Sequence, residues 1–263
     1  MKKIISFEQF REIKNKAIVE RNLKNTNFLI KDSEMALHIL AGQARDEERE
    51  DCLLVVINYH DTDWVYFWLD KPYAAFLPKG IKKPMLAFFG FEEQPVIWDD
   101  IAYGLSLRMS CTIKYIKVNV GDVVWPDLSS EFVLTEHNNI DYDYYAKLCK
   151  AHFILTIDGI PPKEIWDEYK KDLVLIEARC KNGELAGFLG LHHTKKKRNF
   201  VAMAVFPKFR GKQLASILFH KGMEGNDGVL SFWVHAKNSK ALKIYYKLGF
   251  VYSGKYRKFY CMP

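Results

Sequence analysis

Short apolar runs alternate with polar stretches of helical spacing along the whole chain, and their order predicts a mixed α/β fold. In the second half, FVLTE at 132–136 has the form of a short strand. DYDYYAKLCKAHF at 141–153 opens on an aspartate cap and continues with helical spacing. Pro161 and Pro162 introduce a further helix, KEIWDEYKKD, because proline is tolerated in a first turn. LVLIEARC at 173–180, the turn Lys181-Asn182-Gly183 and ELAGFLGLHH at 184–193 predict a hairpin. KKKR at 195–198 is the next turn, and NFVAMAVF at 199–206 is apolar enough to predict a strand buried on both faces. A helix over 211–222, a strand over 229–236, a helix over 239–248 ended by Gly249, and a last hairpin over 250–262 complete this half.

The first half has a related order. Helices fit 7–21 and 33–45, strands fit 52–59, 64–69 and 85–91, a helix fits 96–109 and a strand fits 112–120. This matches the order in the middle of the second half without visible identity, which raises a duplicated and degenerated fold beside the plainer reading of an unrelated α/β domain. WPDLSS, between apolar runs, sets the expected domain boundary, with domains at 1–127 and 128–263. The fold class is therefore α/β (α+β), a mixed central sheet flanked by helices.

Composition changes this picture little. The chain has 263 residues, 49% hydrophobic and 27% charged, the mix of a folded protein. Its five cysteines are scattered and odd in number, without CxxC spacing, which argues against a disulfide framework or a metal site and for a cytoplasmic setting. No signal-peptide pattern opens the chain, and no apolar stretch approaches the ~20 residues of a membrane span. Charge is uneven. Residues 1–127 carry 17 Lys/Arg against 19 Asp/Glu, and the remainder of the net +7 makes 128–263 basic. A basic half suits a phosphorylated ligand; no nucleic-acid motif accompanies it.

Candidate chemistry concentrates in AVFPKFRGKQLASILFHKG at 204–222. A strand runs into proline, a basic glycine-containing turn and then a helix. A helix N-terminus offers unpaired N–H groups and partial positive charge, and Arg210 and Lys212 add to it. Alone this is a generic anion site. NSKALKIYYKLGF at 238–250 follows one strand later. Together the two segments resemble the GCN5-related N-acetyltransferase (GNAT) family, whose pattern is V-x-P-x-x-R/Q-x-x-G-x-G/A followed by N-x-x-A-x-x-x-Y-x-x-x-G-F. Val205, Pro207, Arg210 and Ala215 match the first part; Asn238, Ala241, Tyr245, Gly249 and Phe250 match the second. The resemblance covers the last half of the chain.

The resemblance implies acetyl-CoA as cosubstrate and an amine-bearing small molecule or peptide as acceptor, with no nucleic acid, membrane or metal involved, in a monomer or homodimer. It implies that the backbone of Met203, Ala204 and Val205 pairs with the pantetheine arm as an added strand would. Arg210, Gly211, Lys212, Gln213, Leu214, Ala215 and Ser216 then hold the pyrophosphate, Asn238 contacts the arm, and Tyr245 lies near the thioester sulfur. The first domain, a degenerate copy or not, would shape the acceptor site.

A phenol titrates near ~10 and a thiol near ~8.5, so full proton transfer from Tyr245 to a thiolate is uphill by about 2 kcal/mol. Hydrogen bonding to the thiolate fits Tyr245 better. The attacking amine must be neutral, and an alkylamine is only ~0.04% neutral at pH 7, so a base is useful. Some family members carry a glutamate on the strand before the asparagine; here the position is Trp233. His235 is the candidate base, with Glu177, His192 and His193 as others, each also readable as structural.

A second departure is Gln213, where the family usually has glycine. Two further readings stay open: a transferase resembling the Fem-type aminoacyl ligases, and a non-catalytic acyl-CoA-binding module. KKKR reads as a solvated charge run. WVYFW at 64–68, with Phe88, Phe89 and Phe91, reads as core before it reads as an acceptor pocket.

Overall fold

The computed structural model describes residues 1–263 except 24, 29, 31, 93–96, 126–130, 154–159, 195, 196, 226 and 227, and the side chains of 33, 34, 193, 194, 197 and 198. The chain forms two compact units, one of residues 1–113 with 254–263, the other of residues 114–253. This differs from the break expected at 127/128. WPDLSS, apart from Trp125, lies outside the described residues.

Unit 1 contains β1 (Lys2–Lys3), α1 (Phe7–Asn15), β2 (Asn25–Thr26), α2 (Asp32–Leu40), β3 (Ala44–Arg49), β4 (Cys52–Tyr59), β5 (Thr62–Leu69), β6 (Pro84–Phe91), α3 (Ile97–Gly104) and the start of β7 (Arg108–Asn119). Ser6 starts α1 by accepting the Gln9 amide at 3.1 Å. A short π-helical segment, Lys16–Glu20, continues it. The sheet is mixed. β1, β3, β4 and β5 are successive antiparallel neighbours, whereas β5 and β6 run parallel. WVYFW is core here, since every residue of β5 is buried.

The helix expected to reach residue 45 stops at Leu40, and ARDEER becomes β3. Its charges hide it from a hydrophobicity pattern. Backbone pairing with β1 and β4 makes it a strand, and Glu48 meets Lys16 at 2.8 Å and Arg21 at 3.1 Å on the surface.

Unit 2 continues from β7 through β8 (Phe132–His137), α4 (Tyr142–Lys150), α5 (Trp166–Tyr169), β9 (Leu173–Cys180), β10 (Leu185–Thr194), β11 (Lys197–Val205), α6 (Leu214–Met223), β12 (Val229–His235), α7 (Ser239–Lys247) and the first residues of β13 (Val251–Cys261). Asp141 caps α4 by accepting the Tyr144 amide at 2.9 Å. The helix expected after Pro162 is broken into α5 and two flanking 3₁₀ turns. β8 to β11 form an antiparallel sheet in the order β11-β10-β9-β8. α6 lies tightly on it. A methyl added at Gly222 would sit 2.5 Å from a Leu189 methyl, so glycine permits this approach.

Two further expectations change. The segment 250–262 is no hairpin but one strand, β13, whose residues 255–261 pair antiparallel with β6. Gly254, at φ +78°, marks the point where the chain passes from unit 2 to unit 1. The segment 199–206 is not buried on both faces. Only Ala202 is fully buried, because β11 ends its sheet and one edge stays open. Its apolar character serves a cleft as well as a core.

Candidate active site

The open edge of β11 is the foundation of the site. Antiparallel pairing alternates, so successive residues turn their backbone groups to the partner strand and then away. The Phe206 amide donates to the Ala186 carbonyl at 2.9 Å, and Ala204 lies opposite Phe188. Ala204 therefore faces β10, while Met203 and Val205 present their N–H and C=O groups outward. The Val205 carbonyl accepts Arg210 Nε at 3.2 Å on that open side. Between Gly190 and Leu191 the register slips around Val201. Such a bulge bends a strand away from its continuation. β12 pairs with β7, not with β11.

Beyond β11 the chain makes a 3₁₀ turn, Pro207–Phe209, anchored by buried Phe209. Gly211 (φ +84°) and Gln213 (φ +57°) then take left-handed conformations, and α6 begins at Leu214. The first helical bond runs from Ile217 N–H to the Gln213 carbonyl at 3.1 Å. No side chain caps this end. The amides of Leu214, Ala215 and Ser216 thus have no intrahelical acceptor and carry the positive end of the helix dipole. Arg210 stands beside them. Lys212 does not join this group, because its ammonium pairs with Glu131.

Asn238 and Tyr245 are held by the two ends of α7. Asn238 Oδ1 accepts the Ala241 amide at 3.2 Å, which caps the helix and leaves the side-chain NH₂ to donate elsewhere. At the other end Gly249, at φ +94°, closes a Schellman motif: Gly249 N–H bonds Tyr246 at 3.1 Å and Phe250 N–H bonds Tyr245 at 3.0 Å. The rings of Tyr245 and Phe250 lie 5.9 Å apart, the apolar contact that accompanies the motif. Phe219 at 5.3 Å and Phe232 at 4.9 Å complete the ring's surroundings. Burial pushes the Tyr245 phenol well above its ordinary pKa of 10, so it stays protonated and able to donate.

These elements surround a cavity of about 850 Å³. Of the expected cofactor residues, Met203, Ala204, Val205, Arg210, Gly211, Gln213, Leu214, Ala215, Ser216, Asn238 and Tyr245 all line it. Trp125, Lys240 and Lys247, which no motif marked, line it too. A second cavity, about 420 Å³, lies along β11 and β12 and is lined by Trp233 and His235 among others. His152, Phe153, Met203, Asn238 and Tyr245 border both.

The other candidate bases are placed elsewhere. Glu177 is buried and accepts Arg179 Nε at 2.9 Å and Nη2 at 2.7 Å as well as the Tyr144 hydroxyl. His137 Nε2 also lies 3.5 Å from this carboxylate. His192 packs on Tyr169, ring centres 4.3 Å apart. The His193 side chain and Lys195–Lys196 of KKKR lie outside the described residues. His152 was not marked by sequence. It follows α4 within no motif and would have been found only as a histidine close to an apolar cleft.

Residues 141–250 match the acetyltransferase (GNAT) family. The match covers 110 of the 263 residues, all of them within unit 2. Among solved structures, a tandem GNAT protein from the clavulanic acid biosynthesis pathway is similar over 97% of this chain and 96% of its own, with TM-score 0.61 and 9% identity. A GNAT-family acetyltransferase from Colwellia psychrerythraea is similar over 99% and 98%, with TM-score 0.50 and 13% identity. A functionally unknown conserved protein from Staphylococcus epidermidis is similar over 82% and 93%, with TM-score 0.53 and 13% identity. At such identities the likeness is one of fold. No curated protein matches the chain. Among the described residues, no helix is long and apolar enough to cross a membrane.

Proposed function

We propose that the chain is an acetyl-CoA-dependent N-acetyltransferase acting on a primary amine of a small molecule or peptide. The observation that carries this reading is the continuous cavity wall formed by the outward edge of β11, the uncapped start of α6, and Asn238 with Tyr245 on α7. An extended arm with amide groups can add to the Met203 and Val205 edge as a strand would. A pyrophosphate suits the amides of Leu214 to Ser216 beside Arg210. Lys240 and Lys247 supply charge for a further phosphate on the same cavity.

The transfer itself needs a neutral amine near the thioester carbonyl and help for the departing thiolate. Tyr245 is suited to the second task as a hydrogen-bond donor. Its raised pKa makes outright proton donation less favourable than for a free phenol, and leaves electrostatic stabilisation of the sulfur. His235, the base expected from the sequence, borders the second cavity only. The scattered, odd-numbered cysteines favour a reducing, cytoplasmic setting.

The test combines binding and turnover. Acetyl-CoA at millimolar concentration should raise the melting temperature, and an amine panel should release free CoA thiol. No thermal shift would sink the reading. Tyr245→Phe should cut kcat about 10-fold or more with acetyl-CoA affinity nearly unchanged; unchanged turnover would remove Tyr245 from the mechanism.

A further inference from the structure

The two cavities of unit 2 have different walls but share five residues, His152, Phe153, Met203, Asn238 and Tyr245. If the first cavity holds the acyl-CoA, as proposed above, the transferred carbon and the incoming amine meet at that shared wall. Phenylalanine, methionine and asparagine cannot take up a proton near neutral pH. Tyr245, kept protonated, can only give one. Among the described residues common to both cavities, His152 alone can accept a proton there. His235 borders the second cavity only.

We propose that His152 is the base that takes the proton from the acceptor amine. Its ring is fixed by stacking on Phe206, centres 5.0 Å apart and 25° between planes, which leaves both nitrogens on the ring edge. Burial, and then the Arg210 charge, lower its pKa below 6.5, so the imidazole is neutral at pH 7. The titratable and charged groups bordering the two cavities are Arg210, Lys237, Lys240, Lys247, His235 and Tyr245. Of these, Arg210 opposes protonation of the ring.

The amine nitrogen uses its lone pair to form the C–N bond at the thioester carbonyl. The C–S bond breaks, and its electron pair leaves on sulfur as CoA thiolate, hydrogen-bonded by Tyr245. The surplus amine proton passes to a ring nitrogen of His152 and then to solvent.

His152→Gln, His152→Ala and His235→Gln are compared with the unaltered chain, reading kcat against pH at saturating amine and the acetyl-CoA Kd by calorimetry. In the unaltered chain, kcat should fall on the acid side with an apparent pKa below 6.5. His152→Gln should abolish that limb and lower kcat about 100-fold, with the acetyl-CoA Kd within about 3-fold, equivalent to about 0.7 kcal/mol. Added imidazole should restore part of the rate to His152→Ala, and His235→Gln should keep the limb. Retention of rate and limb by His152→Gln, loss of the limb in His235→Gln instead, or a parallel loss of CoA affinity would each overturn the assignment. Absence of turnover in the unaltered chain with any amine would overturn the acyl-transfer reading itself.

Discussion

In each unit a strand runs into a 3₁₀ turn opened by a proline, and the two units treat the wedge between that strand and the next in opposite ways. In unit 2, β11 leads through a 3₁₀ turn that begins with Pro207 into α6, and β12 follows without pairing to β11. In unit 1, β5 leads through a 3₁₀ turn that begins with Pro72, but residues 75–83 form no helix before β6. β5 and β6 pair in parallel at Asp63–Pro84 and Trp64–Met85. Just past those pairs Asn27 takes over. Its Nδ2 donates to the carbonyls of Val65 at 3.0 Å and Ala87 at 3.1 Å, and its Oδ1 accepts the Phe67 amide at 2.7 Å. β2 continues along β5, with Thr26 opposite Trp68 and Asn25 opposite Leu69. The chain's own strand therefore lies on the edge that unit 2 leaves open. Backbone edges must be satisfied somehow; one unit does it with its own peptide and the other leaves the edge open.

The largest expected effect is on the stoichiometry of acetyl-CoA binding. Unit 1 has neither a free β5 edge at Asn25–Asn27 nor a helix start after its proline turn, so acetyl-CoA should titrate with one site per chain. Calorimetry checks this directly. A second site of similar affinity would break the comparison, because it would require β2 to leave β5.

The next prediction concerns the plug itself. Asn27 is 1% exposed. Asn27→Ala would strand one buried amide and two buried carbonyls. With a cost of about 1–3 kcal/mol for an unsatisfied buried group, partly relieved by water entry, the loss should be about 3 kcal/mol by denaturant unfolding. A loss below about 1 kcal/mol would mean that the bridge only decorates an already closed pair.

The contrast also explains what could be read from the chain beforehand. The open wedge was legible because its parts are local. Pro207, Gly211 and the Asn238 to Phe250 helix each carry their geometry within a few residues, and Gly249 alone announces the motif that fixes Tyr245. The closed wedge was not legible. Asn27 sits in a polar stretch, NTNF, and its partners are 38 to 60 residues away. β3 was hidden by its charges, of which Glu48 and Arg49 are exposed and Arg45, Asp46 and Glu47 half-buried. The return of residues 255–261 to β6 depends on pairing across most of the chain, and no turn residue encodes it. His152 is held beside the cleft by ring contacts with Phe206 and Phe188, which are distant in sequence.

The smallest expected effect tests how finished the open wedge is. Gln213 holds φ +57°, ψ 9° at the head of α6, a conformation that costs an L-residue roughly 1–2 kcal/mol. Glycine avoids that cost but loses up to about 1 kcal/mol more backbone entropy on folding. Gln213→Gly should therefore stabilise the chain by about 0.5 kcal/mol, read as a small rise in denaturation midpoint at unchanged slope. The glutamine side chain is exposed, so it need not stand between a pyrophosphate and the amides of Leu214 to Ser216. The acetyl-CoA Kd should accordingly change by less than about 3-fold. A gain of about tenfold or more, equivalent to 1.4 kcal/mol, would show that the side chain crowds the anion and that this wedge, too, has begun to close.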